Sequence, residues 1–232
     1  MKIALGIMTF NEREILQRTL LHSFDFQYKY AVDFFSSDLT VELLGSFGFL
    51  VHSQKWPDNF AAGRNILIQY AEDSGADYLF MLDADEAMTP EGIRLCIEAA
   101  EKYDCIALPR IEFVKDTNHY DPTLYPDYQC RFFRLKKGYY FRNRVHEMLH
   151  HPVTNKAVLA DPRKFIALPN APIYHYSRIK DHRRLALKYL NYDRMAQNQE
   201  LLKELPVGYD PQAQYWARCE PFIGDHPLKK SV

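Results

Sequence analysis

The stretch Tyr78-Leu79-Phe80-Met81-Leu82, followed at once by Asp83-Ala84-Asp85-Glu86, constrains this chain more than any other. An apolar run with no polar interruption reads as a strand buried on both faces, the kind found inside a parallel α/β sheet. Three carboxylates at its exit cannot share so small a space as bare anions. Either they spread into water, or a cation gathers them. In open α/β sheets the ligand crevice lies at the carboxyl ends of the strands, which is where these acids sit. The plainer alternative is an acidic turn before a helix whose start is marked by Thr89 and Pro90.

The first hundred residues alternate strand and helix patterns at short spacing, the signature of βαβ units and a largely parallel sheet. Strands are expected at Ile3 to Met8, Tyr28 to Phe34 and Phe49 to His52, before the Tyr78 run. Helices are expected from Asn11 to His22, from Thr40 to Phe47 with Gly48 as its stop, from Asn59 to Ser74 with Gly75 as its stop, and from Pro90 to Tyr103. Past residue 104 the texture changes. Cys105 to Val114 is strand-like, and Lys115 to Pro126 is a polar loop. Cys130 to Leu135 and Tyr139 to Phe141, around the turn Lys136-Lys137-Gly138, predict a hairpin. Ile173 to Tyr176 predicts one more strand, and Asp181 to Leu205 a helix. The fold class is α/β, a mostly parallel sheet flanked by helices, with a mixed C-terminal half. Residues 1–104 form its nucleotide-binding-like half, 105–205 the second half of the same domain, and 206–232 a surface-wrapping tail.

Composition narrows the partners. A net charge of −1 provides no bulk attraction to nucleic acid or anionic membrane. Cys96, Cys105, Cys130 and Cys219 are widely spaced, so neither a zinc site nor a disulfide framework is indicated and a reducing compartment is expected. The segment Met1 to Met8 is too short for a signal peptide, and no apolar segment approaches a membrane span. The expectation is a cytoplasmic protein.

Polar groups gather at the exits of three predicted strands. Thr9-Phe10-Asn11-Glu12 follows the first, Asp33 ends the second with Asp38 close behind, and the D-x-D ends the fourth. Arg64 lies in line with Phe60, Leu67 and Ala71 on the inward face of its helix, where its head points back toward the helix start and could fork onto a phosphate.

These segments resemble a family 2 glycosyltransferase of the GT-A fold. The likeness is carried by Ile7-Met8-Thr9-Phe10-Asn11-Glu12, Val32-Asp33 to Thr40, Phe60-Ala61-Ala62-Gly63-Arg64-Asn65, Met81 to Glu86, and Arg131 to Leu135 leading to Arg144-Val145-His146-Glu147. Leu39 departs from it, standing where these enzymes usually carry glycine, as does the pair Phe34-Phe35. The resemblance implies a UDP-sugar donor and a hydroxyl acceptor: a glycan, a lipid-linked sugar, a protein or a modified nucleobase. It implies that Thr9, Phe10, Asn11, Glu12 and Asp33 contact the nucleoside, Arg64 the pyrophosphate or ribose, and Asp83 the ribose or sugar. Asp85 would bind a divalent Mn²⁺ or Mg²⁺ bridging the phosphates, as a Lewis acid for the leaving diphosphate. Inverting transfer needs a base for the acceptor hydroxyl, and Glu147 is the candidate. His175 would complete the metal shell, with His146 as its rival.

Other classes fit less well. A haloacid-dehalogenase phosphatase places its D-x-D on the first strand, with Thr or Val where this chain has Ala87. A nucleotidyltransferase calls for a Gly-rich basic loop after the first strand. A non-enzymatic polyanion binder would use Arg131, Arg134, Lys136, Lys137, Arg142 and Arg144 with their interleaved aromatics, against the near-neutral total charge.

Overall fold

The computed structural model describes residues 1–20, 26–209 and 219–228. In chain order the strands are β1 (Ile3–Thr9), β2 (Tyr28–Asp33), β3 (Leu50–Ser53), β4 (Tyr78–Asp83), β5 (Glu86–Ala87), β6 (Cys105–Val114), β7 (His119–Tyr120), β8 (Asp127–Arg134), β9 (Tyr140–Arg142), β10 (Met148–His150), β11 (Ile166–Ala167), β12 (Ile173–Arg178) and β13 (Glu220–Pro221). The helices are α1 (Arg13–Thr19), α2 (Thr40–Ser46), α3 (Phe60–Asp73), α4 (Pro90–Ala100) and α5 (His182–Ala196). The main sheet runs β13-β7-β6-β8-β4-β1-β2-β3. From β4 to β3 the pairings are parallel, whereas β8 is antiparallel to both β4 and β6. The class is α/β, as the alternating patterns predict.

Helices cover both faces of the parallel part, which is why Tyr78 to Leu82 shows no alternation. On one side α3 packs Leu67 and Ala71 against Leu79 and Met81. On the other, Leu16 of α1, Leu44 of α2 and Ile93 of α4 pack against Leu5, Ile7 and Phe80. Two glycines permit the close approach of α3 to β1. A Cβ on Gly6 would lie 2.8 Å from Leu67 Cδ2, and one on Gly63 would lie 2.7 Å from Met8 Sδ. Asn59 caps α3 by accepting from Ala62 N at 3.0 Å, Thr89 caps α4 through Gly92 N at 3.1 Å, and Gly75 leaves α3 at φ +77°.

Several boundaries differ from expectation. Helix α1 is shorter than Asn11 to His22, because the Asn11-Glu12 turn belongs to the crevice; His22 lies outside the described residues. Helix α2 starts at Thr40 rather than being capped by it. The cap position is Leu39 at φ 65°, the left-handed region that favours glycine, and Asp38 Oδ1 takes the Thr40 amide at 3.1 Å. Helix α5 ends at Ala196, not Leu205, since Asn198 turns left-handed at φ 54° and the Asn191 side chain bonds the Leu202 backbone.

The largest correction concerns the hairpin. β9 does not pair with β8, whose two edges are already taken by β4 and β6; it pairs antiparallel with β10. The turn through Lys136 (φ 58°) and Gly138 (φ 75°) carries the chain across to α3. There the Asn65 side chain takes Phe141 N at 2.7 Å and donates to Phe141 O at 3.0 Å. Within the predicted polar loop, β7 pairs with β6 and with β13 of the tail. The described end of the tail buries Leu228 in a small core with Phe113 and Tyr176.

Candidate active site

The register of the parallel strands brings three exits together: Thr9 lies beside Asp33, and Met8 beside Asp83. Their loops are stitched by side chains. Asn11 N donates to Ser36 Oγ at 2.7 Å and Ser37 N to Asn11 Oδ1 at 2.7 Å. Glu12 N donates to Thr40 Oγ1 at 3.0 Å and Arg13 N to Asp38 Oδ2 at 3.1 Å. Burial works against the Asp38 carboxylate, but the hydrogen bonds from Thr40 and Arg13 prevail and hold its pKa below the ordinary value. Asp33, expected at the nucleoside, is fully buried, with Ser36 N and Oγ on its two oxygens. Phe10 is 52% exposed at the mouth, an aromatic face open to a base. Buried Thr9 Oγ1 has no hydrogen-bond partner among the described residues.

Cations of the chain itself gather the three carboxylates. Arg64 lies 2.8 Å from Asp83 Oδ1 through Nη1, a contact whose angle falls short of a hydrogen bond, and donates from Nη2 to Oδ2 at 3.0 Å. Its Nε donates to Glu147 Oε1 at 2.6 Å. Arg131 Nη2 bridges Asp83 Oδ2 and Glu86 Oε1, both at 2.8 Å. Glu86 Oε2 takes the Asp83 amide at 2.9 Å, and Arg110 pairs with Asp127 at 2.6 Å. Burial would raise the Asp83 pKa, but Arg131 and Arg64 hold it far below the usual carboxylate range. As it stands, the Arg64 guanidinium faces these carboxylates rather than an open phosphate position. Arg64, expected at the donor pyrophosphate or ribose, here ties the D-x-D to Glu147.

Asp85 has a different set of partners. The segment after the D-x-D is not a solvated turn: β5 pairs antiparallel with β12, and Tyr176 N donates to Asp85 O at 2.8 Å. This brings His175 Nε2 within 3.4 Å of Asp85 Oδ1, while its Nδ1 lies 2.6 Å from Glu112 Oε2, the register neighbour on β6. Burial opposes the imidazolium, but Glu112 and Asp85 outweigh it and push the His175 pKa up to about 9. Lys180 Nζ stands 2.7 Å from Asp85 Oδ2 and 2.8 Å from both Glu12 oxygens. Burial opposes the Asp85 charge too, yet Lys180 and His175 hold its pKa well below the ordinary value. Burial dominates at Glu12 and raises its pKa, with Lys180 pulling the other way.

The pairing of Asp85 with His175 is thus assembled, but the donor set does not fit a divalent ion as it stands. An ammonium fills the position against Asp85. Among the described residues no three His, Cys, Asp or Glu side chains gather as ligands would. The rival His146 stands near the Tyr192 ring instead, 6.4 Å between centroids.

Arg131, Glu112 and Lys180 are absent from the sequence-based site. A signal existed for the first two: a lone charge between Cys130 and Phe132, and another between Ile111 and Phe113, each inside an apolar strand where an unpaired charge is not tolerated. Lys180 carried none. Of the six cations of the polyanion-binding reading, Lys136, Lys137 and Arg142 are exposed and the other three are engaged within the fold. Arg131 is buried on Asp83, Arg134 pairs with Asp104 over the Tyr78 ring, and Arg144 holds Asp58 O and Asn198.

No curated protein matches the chain in sequence. Among solved structures, S. aureus TarS 1-349 in complex with UDP-GlcNAc is similar at TM-score 0.55 and 16% identity, over 83% of this chain and 68% of that one. S. aureus TarS matches at TM-score 0.52 and 15% identity, over 83% of this chain and 40% of that one. These likenesses show the fold alone, and this chain spans less than half the length of the latter. Residues 5–162 match the sequence model of Glycosyl transferase family 2. The strand exits described above lie within those residues, and the chain belongs to that family.

Proposed function

We propose that this protein transfers a sugar from a nucleotide-sugar donor, a UDP-sugar, to a hydroxyl acceptor with inversion at the anomeric carbon. The observation that carries the reading is the Arg64 tether. Arg64 joins the first D-x-D carboxylate to Glu147, which lies 83 residues beyond Arg64 in sequence, and this supports Glu147 as a base beside the donor at the strand exits. The Asp83 side chain is 24% exposed and that of Asp85 only 5%, so Asp83 is the carboxylate that meets the donor sugar or ribose. Phe10 stacks on the nucleoside base, and Thr9 Oγ1 supplies the unused hydrogen-bonding group beneath it. UDP-GlcNAc in the complex of similarly folded TarS supports a uridine donor.

In the reaction Glu147 takes the acceptor's proton as its oxygen attacks the anomeric carbon, and the bond to the diphosphate breaks with its electron pair leaving on the nucleoside diphosphate. Arg64 fixes the orientation of Glu147 and Asp83 together, which is the positioning such a displacement needs. A divalent ion would neutralise the leaving group, but the residues present do not fit one as they stand, and no step here runs through it.

A panel of nucleotide sugars tests the reading through thermal shift and acceptor-free donor hydrolysis. One donor should raise the unfolding midpoint and be slowly hydrolysed, with both effects reduced in Asp83→Asn. If no nucleotide sugar moves the midpoint, the donor assignment is wrong.

A further inference from the structure

Lys180 stands in the gap between the exits of β1 and β4, touching Glu12 on one side and Asp85 on the other. Its side chain is 13% exposed, so this is not a solvated surface pair. Arg184, one turn along on α5, adds Nη2 at 3.2 Å from Glu12 Oε1 and donates to Phe10 O at 2.9 Å. A cavity of about 190 Å³ opens against them, with Asn11, Glu12, Arg18, Asp38, Lys180 and Arg184 in its wall. Glu14 and Asp181 stand in the same wall, so the lining as a whole is not basic; what coincides there is space, the paired Lys180 and Arg184 cations and the strand-exit position.

A divalent ion on Asp85 would need carboxylate oxygens at about 2.0–2.6 Å, in the place where the ammonium already lies 2.7 Å from Oδ2. The ion and the ammonium cannot both occupy it. We propose that Lys180 is the resident cation of the donor diphosphate site, so that the protein binds its nucleoside diphosphate without a divalent metal. The two Glu12 contacts are equal at 2.8 Å, so one N–H can pass to a phosphate oxygen while the ammonium stays on Asp85. The Arg184 side chain, 46% exposed, offers further donors to the same oxygens. This rests on the nucleotide-sugar reading above.

The test is calorimetric titration of UDP and GDP into the protein in EDTA and in Mn²⁺, with free Mn²⁺ followed by its paramagnetic resonance. Wild type should bind one nucleotide with affinities within about threefold in the two buffers and take up no Mn²⁺ of its own. Lys180→Met should lose about tenfold to hundredfold in EDTA, the value of one charge-assisted contact. It should regain affinity in Mn²⁺, because Asp85 and Glu12 are then open to the ion. Wild type that binds only in Mn²⁺ and sequesters it overturns the inference, as does Lys180→Met with wild-type affinity in EDTA; both outcomes leave the donor reading standing. Wild type that binds neither nucleotide in either buffer removes the donor reading and this inference together. Should Lys180→Met not fold, the wild-type arms still decide.

Discussion

At the scale of single residues, the site works by holding carboxylates as anions in places where burial disfavours charge. Breaking a buried ion pair by removing one partner costs about 3–5 kcal/mol, so these arginines and lysines are structural as well as chemical. Glu147→Gln keeps size and hydrogen-bonding reach but cannot accept a proton. Donor affinity should stay within a small factor, and single-turnover transfer should slow on the order of 10²–10⁴-fold; a normal transfer rate would move the base to Asp127 or His146. His175 offers a test in pH. Its folded pKa of about 9 lies above the ordinary value of 6.5, so its stabilisation is full below about pH 6.5 and is lost as pH rises through 9. The stability difference between wild type and His175→Gln should therefore reach up to about 3 kcal/mol at pH 6. It should shrink steadily by pH 9.5 in denaturant titrations, and a difference flat across that range would show that His175 is neutral in the folded protein.

At the scale of elements, the decisive packing is α3 against β1 and β9. Gly6 and Gly63 admit the helix, its inward face delivers Arg64, and Asn65 clasps Phe141 on both backbone groups. That clasp, with Phe60 N on Arg144 O at 3.0 Å, fixes the β9–β10 loop from which Glu147 reaches Arg64. Asn65→Leu leaves the Phe141 backbone groups without their partner. It should destabilise by about 1–3 kcal/mol and slow transfer while UDP affinity is nearly unchanged, since Asn65 touches no part of the donor crevice. Equal losses in binding and transfer would mean that the clasp supports the whole site rather than the Glu147 arm. Strand β12 plays the matching part on the other side: its pairing with β5 and β6 sets His175 between Asp85 and Glu112.

At the scale of the molecule, the two halves share one sheet. β8 lies between β4 and β6, so residues past 104 complete the strand that ends in the D-x-D. A fragment of residues 1–104 should fail to give cooperative thermal unfolding or a dispersed amide spectrum, because β4 loses its β8 partner and Phe80 loses its contact with Phe132; a well-dispersed spectrum would make that half a folding unit. Most of the parallel half was legible in the sequence, since its signals are local: an uninterrupted apolar run, Asn59 and Thr89 as caps, Gly75 as a stop. The same local logic put Asp83, Asp85 and Arg64 forward as crevice residues, whereas Glu147 and His175 were named only through the family resemblance. It failed at the β8–β9 turn, where a hairpin pattern meets a strand whose edges are both already taken. It also could not foresee which charges would meet. That Arg64 joins Asp83 to Glu147, or that Lys180 comes to rest on Asp85 from 95 residues away, depends on strand order and register, which bring together side chains that share no local pattern. The sequence by itself determined that carboxylates would crowd the exit of a buried strand and need cations. Only the tertiary structure decided which of the chain's own cations, Arg64, Arg131 and Lys180, stand against them.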